Sequence, residues 1–287
     1  MDLIWQIFLN GIFLGGLYAL MALGLALVWG VLNIVNLAHG AFIMLGAYAC
    51  YYLYTGGHID PFLALPLAML IIFALGYLIQ RFVLNLIVRS AMFTTLLITF
   101  GIDVVLTYMA QIIFTADFKT INPPYAGSNF QLFGATVPYV QMFTFVVALA
   151  VTVGLSVFLR RARLGRAIRA TAQNLTAARL YGVNPRTLYA ITFALGAALA
   201  GGAGGLYGMV SQINPYIGAP LTAKSFAIAI IGGLDNPLGV IVGGLFLGLV
   251  ESFTALYIGP TYTSVASFGI LVLVLIIRPT GILGRTA

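Results

Sequence analysis

Two polar segments interrupt apolar stretches of this sequence, and they carry amide and imidazole side chains where the surroundings are aliphatic. Such groups are costly in apolar surroundings unless they are hydrogen-bonded. The first segment therefore predicts either a helix cap or a helix break that lines or gates a path, and the two roles are compatible. The second segment must interrupt a helix, because its prolines remove backbone donors, and it predicts a re-entrant or external turn. The residues concerned are Asn33, Asn36, His39 and Gly40 in the first segment, and Asn214, Pro215 and Gly218 in the second.

The two segments belong to an internal repeat, because residues 19–41 align without a gap with residues 197–219. Seven of the 23 aligned pairs are identical. Chance resemblance is the alternative, since Gly and Ala inflate such matches. A true repeat predicts two related halves, with a transport pathway at their interface. The best-kept part of the repeat consists of Asn36, Gly40 and Ala41 in the first half and Asn214, Gly218 and Ala219 in the second.

The composition predicts an all-α polytopic membrane protein. Hydrophobic residues make up 62% of the chain and charged residues 7%, whereas soluble domains carry about 25% charge. The apolar runs are continuous, unlike the alternating strands of a membrane β-barrel. The first run, residues 3–31, is too long for a signal-peptide core, so we expect it to be retained as a span.

The apolar runs predict eight or nine spans in a single permease domain covering residues 1–287. The first half covers about 1–160 and the second about 187–287, with a polar segment at 160–186 between them. The short run 221–234 leaves the count open between eight and nine. The predicted spans are 5–31, 36–54, 61–80, 92–115, 138–159, 187–210, 221–234, 238–257 and 264–278.

The basic residues predict the orientation of these spans. If the arginine-rich segment 160–186 is cytoplasmic, alternation of the spans also places Arg81, Arg89, Arg278 and Arg285 inside. Eleven of the thirteen basic residues then share one side, as the positive-inside rule requires. The N-terminus would lie outside and the C-terminus in the cytoplasm. The two halves of the repeat would then have inverted topologies.

Metal, cofactor and nucleic-acid chemistry have little support in this sequence. Cys50, His39 and His58 are the only cysteine and histidines, and they do not have metal-ligand spacing. The pI near 9.6 comes from arginines that are better explained as topology signals. We expect no metal site, no cofactor and no nucleic-acid partner.

Three isolated charged residues lie within or beside the predicted spans. Lys224 either extends to the membrane interface or faces an anionic group of a substrate or docking partner. Asp103 and Glu251 are either buried structural carboxylates or parts of a polar pathway, and neither has a partner nearby in the sequence.

The segment 160–186 is long for a connection between spans, where 2 to 8 residues are common. If residues 166–181 form one helix, arginines lie along one side of it. Anionic membrane lipid would explain the arginines. The many small residues favour close packing against a protein surface instead.

These features together resemble the permease subunits of branched-chain amino acid ABC transporters, in particular the shorter of the two permeases. The likeness runs nearly end to end. It is carried by Asn36 to Gly40, by the run from Gly165 to Val183, by Ile213 to Gly218, by Gly232 and Gly233, and by the terminal run from Pro279 to Gly284.

The resemblance implies an importer in the inner (plasma) membrane of a prokaryote. This chain would pair with a second, similar permease, two cytoplasmic ATPase subunits and an extracytoplasmic solute-binding protein. It would not itself be an enzyme, and it has no Gly-rich phosphate loop. The resemblance also implies that the cytoplasmic segment couples to the ATPase, through Gly165, Arg166, Arg169, Ala170, Asn174, Ala178 and Gly182.

The sequence departs from the family at two positions. Many relatives carry an acidic residue where this chain has Ala41, and an Asp where it has Asn174. The first difference bears on substrate preference and the second on ATPase docking. Related permeases also serve urea and short amides, so that substrate class is an alternative to amino acids.

Other classes fit less well. An aquaporin-like channel shares the length, the inverted halves and Asn-Pro dipeptides, here at Asn122, Asn214 and Asn236. Its paired Asn-Pro-Ala motifs are missing, however, since Asn36 is followed by Leu37. An ion-coupled secondary transporter would have to rely on Asp103 and Glu251. A membrane hydrolase lacks its expected motifs.

Overall fold

Helices make up almost the whole fold in this computed structural model, which describes residues 2–87, 91–132, 134–234, 236–278 and 280–284. Arg89, Arg285 and Pro279, on which the charge asymmetry and the resemblance partly rest, lie outside these residues. In chain order the helices are α1 Asp2–Leu32, α2 His39–Thr55, α3 Pro61–Ile79, α4 Asn85–Ile87, α5 Met92–Phe114, α6 Tyr139–Arg161, α7 Arg163–Gln173, α8 Leu175–Leu180, α9 Pro185–Val210, α10 Gly218–Gly232, α11 Pro237–Tyr257 and α12 Thr263–Ile277.

Leaving aside α7 and α8 of the segment 160–186 and the three-residue α4, the nine remaining helices coincide with the nine apolar runs. Seven helical stretches of the described chain are long and apolar enough to cross a membrane. The shorter α2 and α10 are not among them, with 17 and 15 residues. An all-α polytopic membrane protein is therefore confirmed, whereas the number of spans and the inverted orientation of the halves stay predictions.

Three of the long helices begin with the same local chemistry. α3, α9 and α11 each start with a proline, and the residue before it accepts a hydrogen bond from the second helical N–H. The three capping residues are Asp60, Asn184 and Asn236. A proline at the first helical position loses no hydrogen bond there, so these short polar sequences fix where each helix begins.

The helices α1 and α9 form the centre of the protein. Of their most apolar windows 72% and 83% are buried, against 6% for α12. The helix α1 also approaches α11 closely, because glycines meet there. Gly11 and Gly15 of α1 lie against Gly244 and Gly248 of α11. Both glycine pairs are four residues apart, the spacing that lets membrane helices bring their backbones together.

The packing follows the internal repeat. The repeat aligns α1 with α9 and α2 with α10, and the helices that follow are α3 and α11. α1 packs extensively on α11, as α9 does on α3, and α2 packs on α3 as α10 does on α11. The two halves thus use their first three helices in the same way, which supports the duplication predicted from the sequence.

The connection between α5 and α6, here called the α5–α6 connection, covers residues 115–138 and includes a hairpin missed by the sequence analysis. Strands β1 Asn129–Leu132 and β2 Ala135–Pro138 pair antiparallel. The connection is held to other elements at several points. Lys119 pairs with Ile213 through backbone hydrogen bonds, the Tyr125 hydroxyl donates to Asp60 at 2.7 Å, and the Thr136 N–H donates to Gln6 at 2.7 Å.

Candidate functional site

The first polar segment is a helix break between α1 and α2. Asn33 has a left-handed backbone φ of 52°, which asparagine tolerates, and its N–H donates to the Trp29 carbonyl at 2.9 Å. Thr99 of α5 lies alongside the break. Its hydroxyl accepts a hydrogen bond from the Leu37 N–H at 3.2 Å and is 3.0 Å from the Val35 carbonyl. A neighbouring helix therefore satisfies the main chain where α1 stops.

Asn36 and His39 are both buried at this break. The Nε2 atom of His39 is 2.9 Å from the Met21 carbonyl oxygen. Within the described chain, Asn36 Oδ1 and His39 Nδ1 have no hydrogen-bond partner. The predicted capping role of Asn36 is wrong, because α2 follows Ala38 and has no side-chain cap. Both side chains thus keep a free acceptor atom or ring nitrogen in an apolar setting.

The second polar segment breaks the chain between α9 and α10. Asn214 caps the short 3₁₀ turn Pro215–Ile217, accepting a hydrogen bond from the Tyr216 N–H at 2.8 Å. Ile213 just before it pairs with Lys119 of the α5–α6 connection. The predicted interruption by proline is therefore present, and the break is braced from outside the repeat.

The two breaks meet at Gly40 and Gly218, the equivalent glycines of the repeat. The start of α2 lies so close to the start of α10 that a Cβ on Gly40 would overlap the Gly218 carbonyl oxygen. The Gly40 N–H donates to the hydroxyl of Thr222 at 2.7 Å, and that hydroxyl is 3.2 Å from the Gly218 carbonyl. The two halves are thus joined through main chain and one threonine.

A charged cluster links α1, α10, α11 and α12. Lys224 forms an ion pair with Glu251 at 3.0 Å, and the side chains are 17% and 5% exposed. Tyr18 donates to Glu251 at 2.6 Å and accepts from Lys224 at 2.7 Å. Ser267 donates to the other carboxylate oxygen at 2.5 Å. Neither expectation for Lys224 is met in this structure, since its partner is an internal carboxylate.

A cavity of about 290 Å³, here called the Glu251 cavity, adjoins this cluster. Its wall combines apolar and polar side chains. Within the described residues, the buried oxygens Gln141 Oε1 and Thr144 Oγ1 of α6 make no hydrogen bond. The lining residues are Asn10, Phe13, Leu14, Leu17, Gln141, Thr144, Val210, Ser211, Glu251, Ser252, Ala255 and Thr263.

A second cavity, here called the Arg169 cavity, has a volume of about 480 Å³ and lies toward the other ends of α1 and α6. Asn33 is the one residue of the predicted path that lines it. Its lining residues are Leu23, Ala26, Leu27, Gly30, Val31, Asn33, Leu155, Ser156, Leu159, Ile168, Arg169, Ala172, Gln173, Leu234 and Pro237.

The segment 160–186 forms two helices rather than the one considered for residues 166–181. Asn174 adopts an extended conformation between α7 and α8, and its side chain accepts a hydrogen bond from the Ala177 N–H at 2.9 Å, which starts α8. Leu180 and Tyr181 follow at the end of α8 and are 84% and 90% exposed. The segment therefore projects an apolar tip.

The predicted coupling residues divide into an exposed and a buried set. Gly165 packs against the end of α6, where a Cβ would overlap the Phe158 carbonyl oxygen, and Ala178 is also buried. Gly182 has a φ of 82° and open space around it. The exposed members are Arg166, Arg169, Ala170, Asn174 and Gly182.

Sequence reasoning missed how the charged cluster and the Glu251 cavity are built. The sequence did offer one indication of the cluster, namely a single lysine and a single glutamate in separate apolar helices. Charges of opposite sign within membrane helices usually pair with each other. Asp103 on α5 differs, because its Oδ1 is buried without a hydrogen-bond partner in the described chain. Among the described residues, no three His, Cys, Asp or Glu side chains are grouped as metal ligands.

Comparison with known proteins gives a consistent result over nearly the whole chain. Residues 7–275 match the sequence model of the family described as branched-chain amino acid transport system / permease component. No solved structure gives a significant match.

Three curated relatives show the range of similarity. The high-affinity branched-chain amino acid transport system permease protein BraD of Pseudomonas aeruginosa is 37% identical, covering 98% of this chain and 95% of its own length. The permease protein LivH of Escherichia coli K12 is 33% identical, with 96% and 94% covered. The permease protein LivM of the same strain is 29% identical, covering 94% of this chain and 68% of its own length.

Proposed function

Because the chain belongs to the family of branched-chain amino acid transport permeases, we propose that it is the membrane-spanning subunit of an ATP-driven importer of branched-chain or other neutral amino acids. The observation that carries this proposal is the end-to-end similarity to BraD and LivH. The apolar helices agree with it, because a chain of this kind must lie in a membrane.

The importer would contain a second permease of the same family. LivH and LivM are two permease proteins from one strain, and both are similar to this chain. The remaining partners are two cytoplasmic ATPase subunits and an extracytoplasmic solute-binding protein. ATP hydrolysis would belong to those ATPase subunits, since this chain lacks a phosphate-binding loop.

The orientation follows from the arginines. With the segment between α6 and α9 in the cytoplasm of a prokaryotic cell, the N-terminus lies outside and the C-terminus inside. The Arg169 cavity then opens toward the cytoplasm. The Glu251 cavity lies toward the opposite face, where a solute-binding protein would deliver its cargo.

The tip of α8 is the part of the chain best suited to contact an ATPase subunit. Leu180 and Tyr181 are 84% and 90% exposed, and Arg179 beside them in the sequence is exposed too. Interfaces are commonly anchored by an aromatic residue with arginines around it. Because α7 packs on α6 and α1, movement of the tip would reach helices that line both cavities.

Uptake measurements test this function. Cells lacking this chain would be compared with complemented cells for uptake of labelled leucine, alanine and urea, with and without depletion of ATP. We expect leucine uptake that needs both the chain and ATP. Uptake of urea alone would reassign the substrate to small amides. Uptake that survives ATP depletion would contradict an ATP-driven importer and favour a channel or an ion-coupled transporter.

A further inference from the structure

Another cavity, here called the Arg186 cavity, lies where two apolar helical stretches end. Its volume is about 390 Å³, and Leu86 and Arg186 are among the residues that line it. The apolar stretch Pro61–Ile87 ends beside this cavity, and the stretch Pro185–Val210 begins beside it. The cavity is therefore placed at the boundary of the membrane, at the level of the phospholipid headgroups.

The fold brings two arginines from different helices to this cavity. α8 ends at Gly182, whose left-handed φ of 82° lets its N–H donate back to the Arg179 carbonyl at 3.0 Å. Two residues later Asn184 begins α9, because its side chain accepts a hydrogen bond from the Arg186 N–H at 3.1 Å. This short turn holds the end of α8 next to the start of α9, so Arg179 and Arg186 line the same cavity.

The unused hydrogen-bonding capacity of these side chains is for donating. The guanidinium groups of Arg179 and Arg186 make no hydrogen bond or ion pair within the described residues. Both arginines are exposed, so a ligand can reach them. The side-chain oxygens of the lining residues Asn184 and Asn85 are already bonded, to the Arg186 N–H and to Gln80 at 3.1 Å. A ligand that supplies oxygen acceptors therefore suits the cavity.

The positive charge of the two arginines is not compensated from within the chain. The six acidic residues leave the stretches 61–102 and 118–234 without any, and all residues that line the cavity come from these two stretches. The positive-inside rule explains why arginines gather on one side of the membrane. It does not explain why two of them share one cavity at the membrane boundary, where anionic headgroups are bound by basic pockets between helices.

Apolar side chains lie in the same part of the chain. Leu86, which lines the cavity, is 81% exposed, and Phe82 in the preceding turn is 67% exposed. Such side chains are suited to contact acyl chains. A phosphate group offers oxygens to both guanidinium groups at once. A zwitterionic headgroup would also bring an ammonium group next to two arginines, whereas an anionic headgroup would not.

We propose that the Arg186 cavity binds the phosphate of an anionic phospholipid, with Arg179 and Arg186 donating to its oxygens. The acyl chains lie along Leu86 and Phe82. The site requires only that the chain lies in a membrane, so it does not depend on which solute is carried. Because Arg179 belongs to α8, a bound lipid also holds the tip at Tyr181 against the start of α9.

Native mass spectrometry of the purified full chain in detergent tests the site. The chain would be titrated with short-chain phosphatidylglycerol, with phosphatidylethanolamine of the same chain length, and with inorganic phosphate. The test variant combines Arg179→Gln with Arg186→Gln. The matched control combines Arg161→Gln with Arg163→Gln, which removes the same charge from two exposed arginines that do not line the cavity.

We expect phosphatidylglycerol to bind the parent chain more tightly than phosphatidylethanolamine does. The test variant should bind phosphatidylglycerol about thirtyfold more weakly, and each single substitution should weaken binding about fivefold, the effect of one basic residue at a membrane surface. The control variant should change the affinity less than twofold. An unchanged midpoint of thermal unfolding without added lipid shows that the variants are folded.

Several results would overturn the site. An equal loss of affinity in the control variant would mean that the arginines attract anionic lipid only through their total charge. Equal binding of the two lipids would show that headgroup charge is not recognised, and inorganic phosphate that binds as tightly as phosphatidylglycerol would replace the lipid as the ligand. Unchanged lipid binding in the test variant, with weaker assembly with the ATPase subunits, would assign the arginines to a protein contact.

Discussion

Gly40 and Gly218, one from each half of the repeat, lie with their backbones in direct contact, and a methyl group on Gly40 would overlap the carbonyl oxygen of Gly218. This contact explains why glycine is needed at the most similar part of the repeat. The small residue permits the starts of α2 and α10 to approach, and Thr222 then bonds to main-chain atoms of both. The junction between the halves therefore depends on the absence of side chains.

The first prediction concerns this junction. Gly40→Ala should destabilise the folded protein by about 3 kcal/mol or more, because backbone atoms cannot move aside as a flexible side chain can. The midpoint of thermal unfolding in detergent measures the change. Gly154→Ala on α6 is the matched control, since nothing lies within 4 Å of the added methyl group. An equal effect of the two substitutions would refute the explanation.

The second prediction concerns the ion pair between Lys224 and Glu251. Glu251→Gln should lower the free energy of unfolding by about 3 kcal/mol, because it leaves a largely buried ammonium without its counter-charge. Adding Lys224→Met should restore part of the loss. A double-mutant cycle from thermal unfolding gives the coupling energy. Additive effects of the two changes would show that the pair contributes nothing.

The third prediction concerns the tip of α8. Tyr181→Ala should reduce ATP hydrolysis stimulated by the solute-binding protein about tenfold, while the variant still inserts and folds, since Tyr181 is 90% exposed. Tyr108→Ala is the matched control, because Tyr108 is 61% exposed on the membrane helix α5. Normal stimulation in the Tyr181 variant would place the ATPase contact elsewhere.

The fourth prediction concerns pH and the α5–α6 connection. Burial, and then the hydrogen bond to Asp60, raise the pKa of the Tyr125 phenol above its ordinary value of 10.0. The stabilising bond is fully present below pH 10 and is lost as the pH rises toward the higher folded-state pKa. Tyr125→Phe should therefore lower the unfolding temperature at pH 8.

The difference between the two proteins should then shrink above pH 10, because the Tyr125 phenol of the unfolded parent chain ionises there, which lowers the stability of the folded state relative to it. Thermal unfolding of both proteins at pH 8, 10 and 11 checks the trend. The other tyrosines are common to the two proteins and cancel in the comparison. A difference that stays constant across this range would show that the Tyr125 hydroxyl makes no stabilising contact.

The helices could be predicted from the sequence because a membrane demands continuous apolar runs, and proline or asparagine marks where several begin. The repeat likewise identified Gly40 and Gly218 before their contact was visible. The prediction from residue type was wrong at Asn36. Asparagine is a common helix cap, but the residue that directly precedes α2 is Ala38. Which of several polar residues caps a helix depends on the backbone path between them.

The charged cluster and the cavity could not be predicted in this way. Lys224 and Glu251 are on consecutive helices, but Tyr18 is more than 200 residues away in the chain, and only packing brings it to the carboxylate. Packing likewise could not be predicted in the segment 160–186, where Ala178 looked suited to an interface but is buried in the protein. Tyr181, which sequence reasoning passed over, has a highly exposed side chain in the same segment.

The anchoring of the α5–α6 connection has a consequence for where proteases cut the chain. A protease must draw several residues of extended chain into its cleft, and exposed, unanchored loops are therefore cut first. Residues 115–138 are pinned by Lys119, Tyr125 and Thr136 to three other parts of the chain. By length alone these residues would be a preferred cleavage site. We expect cleavage to begin instead at the exposed turn at Gly182, which has open space around it.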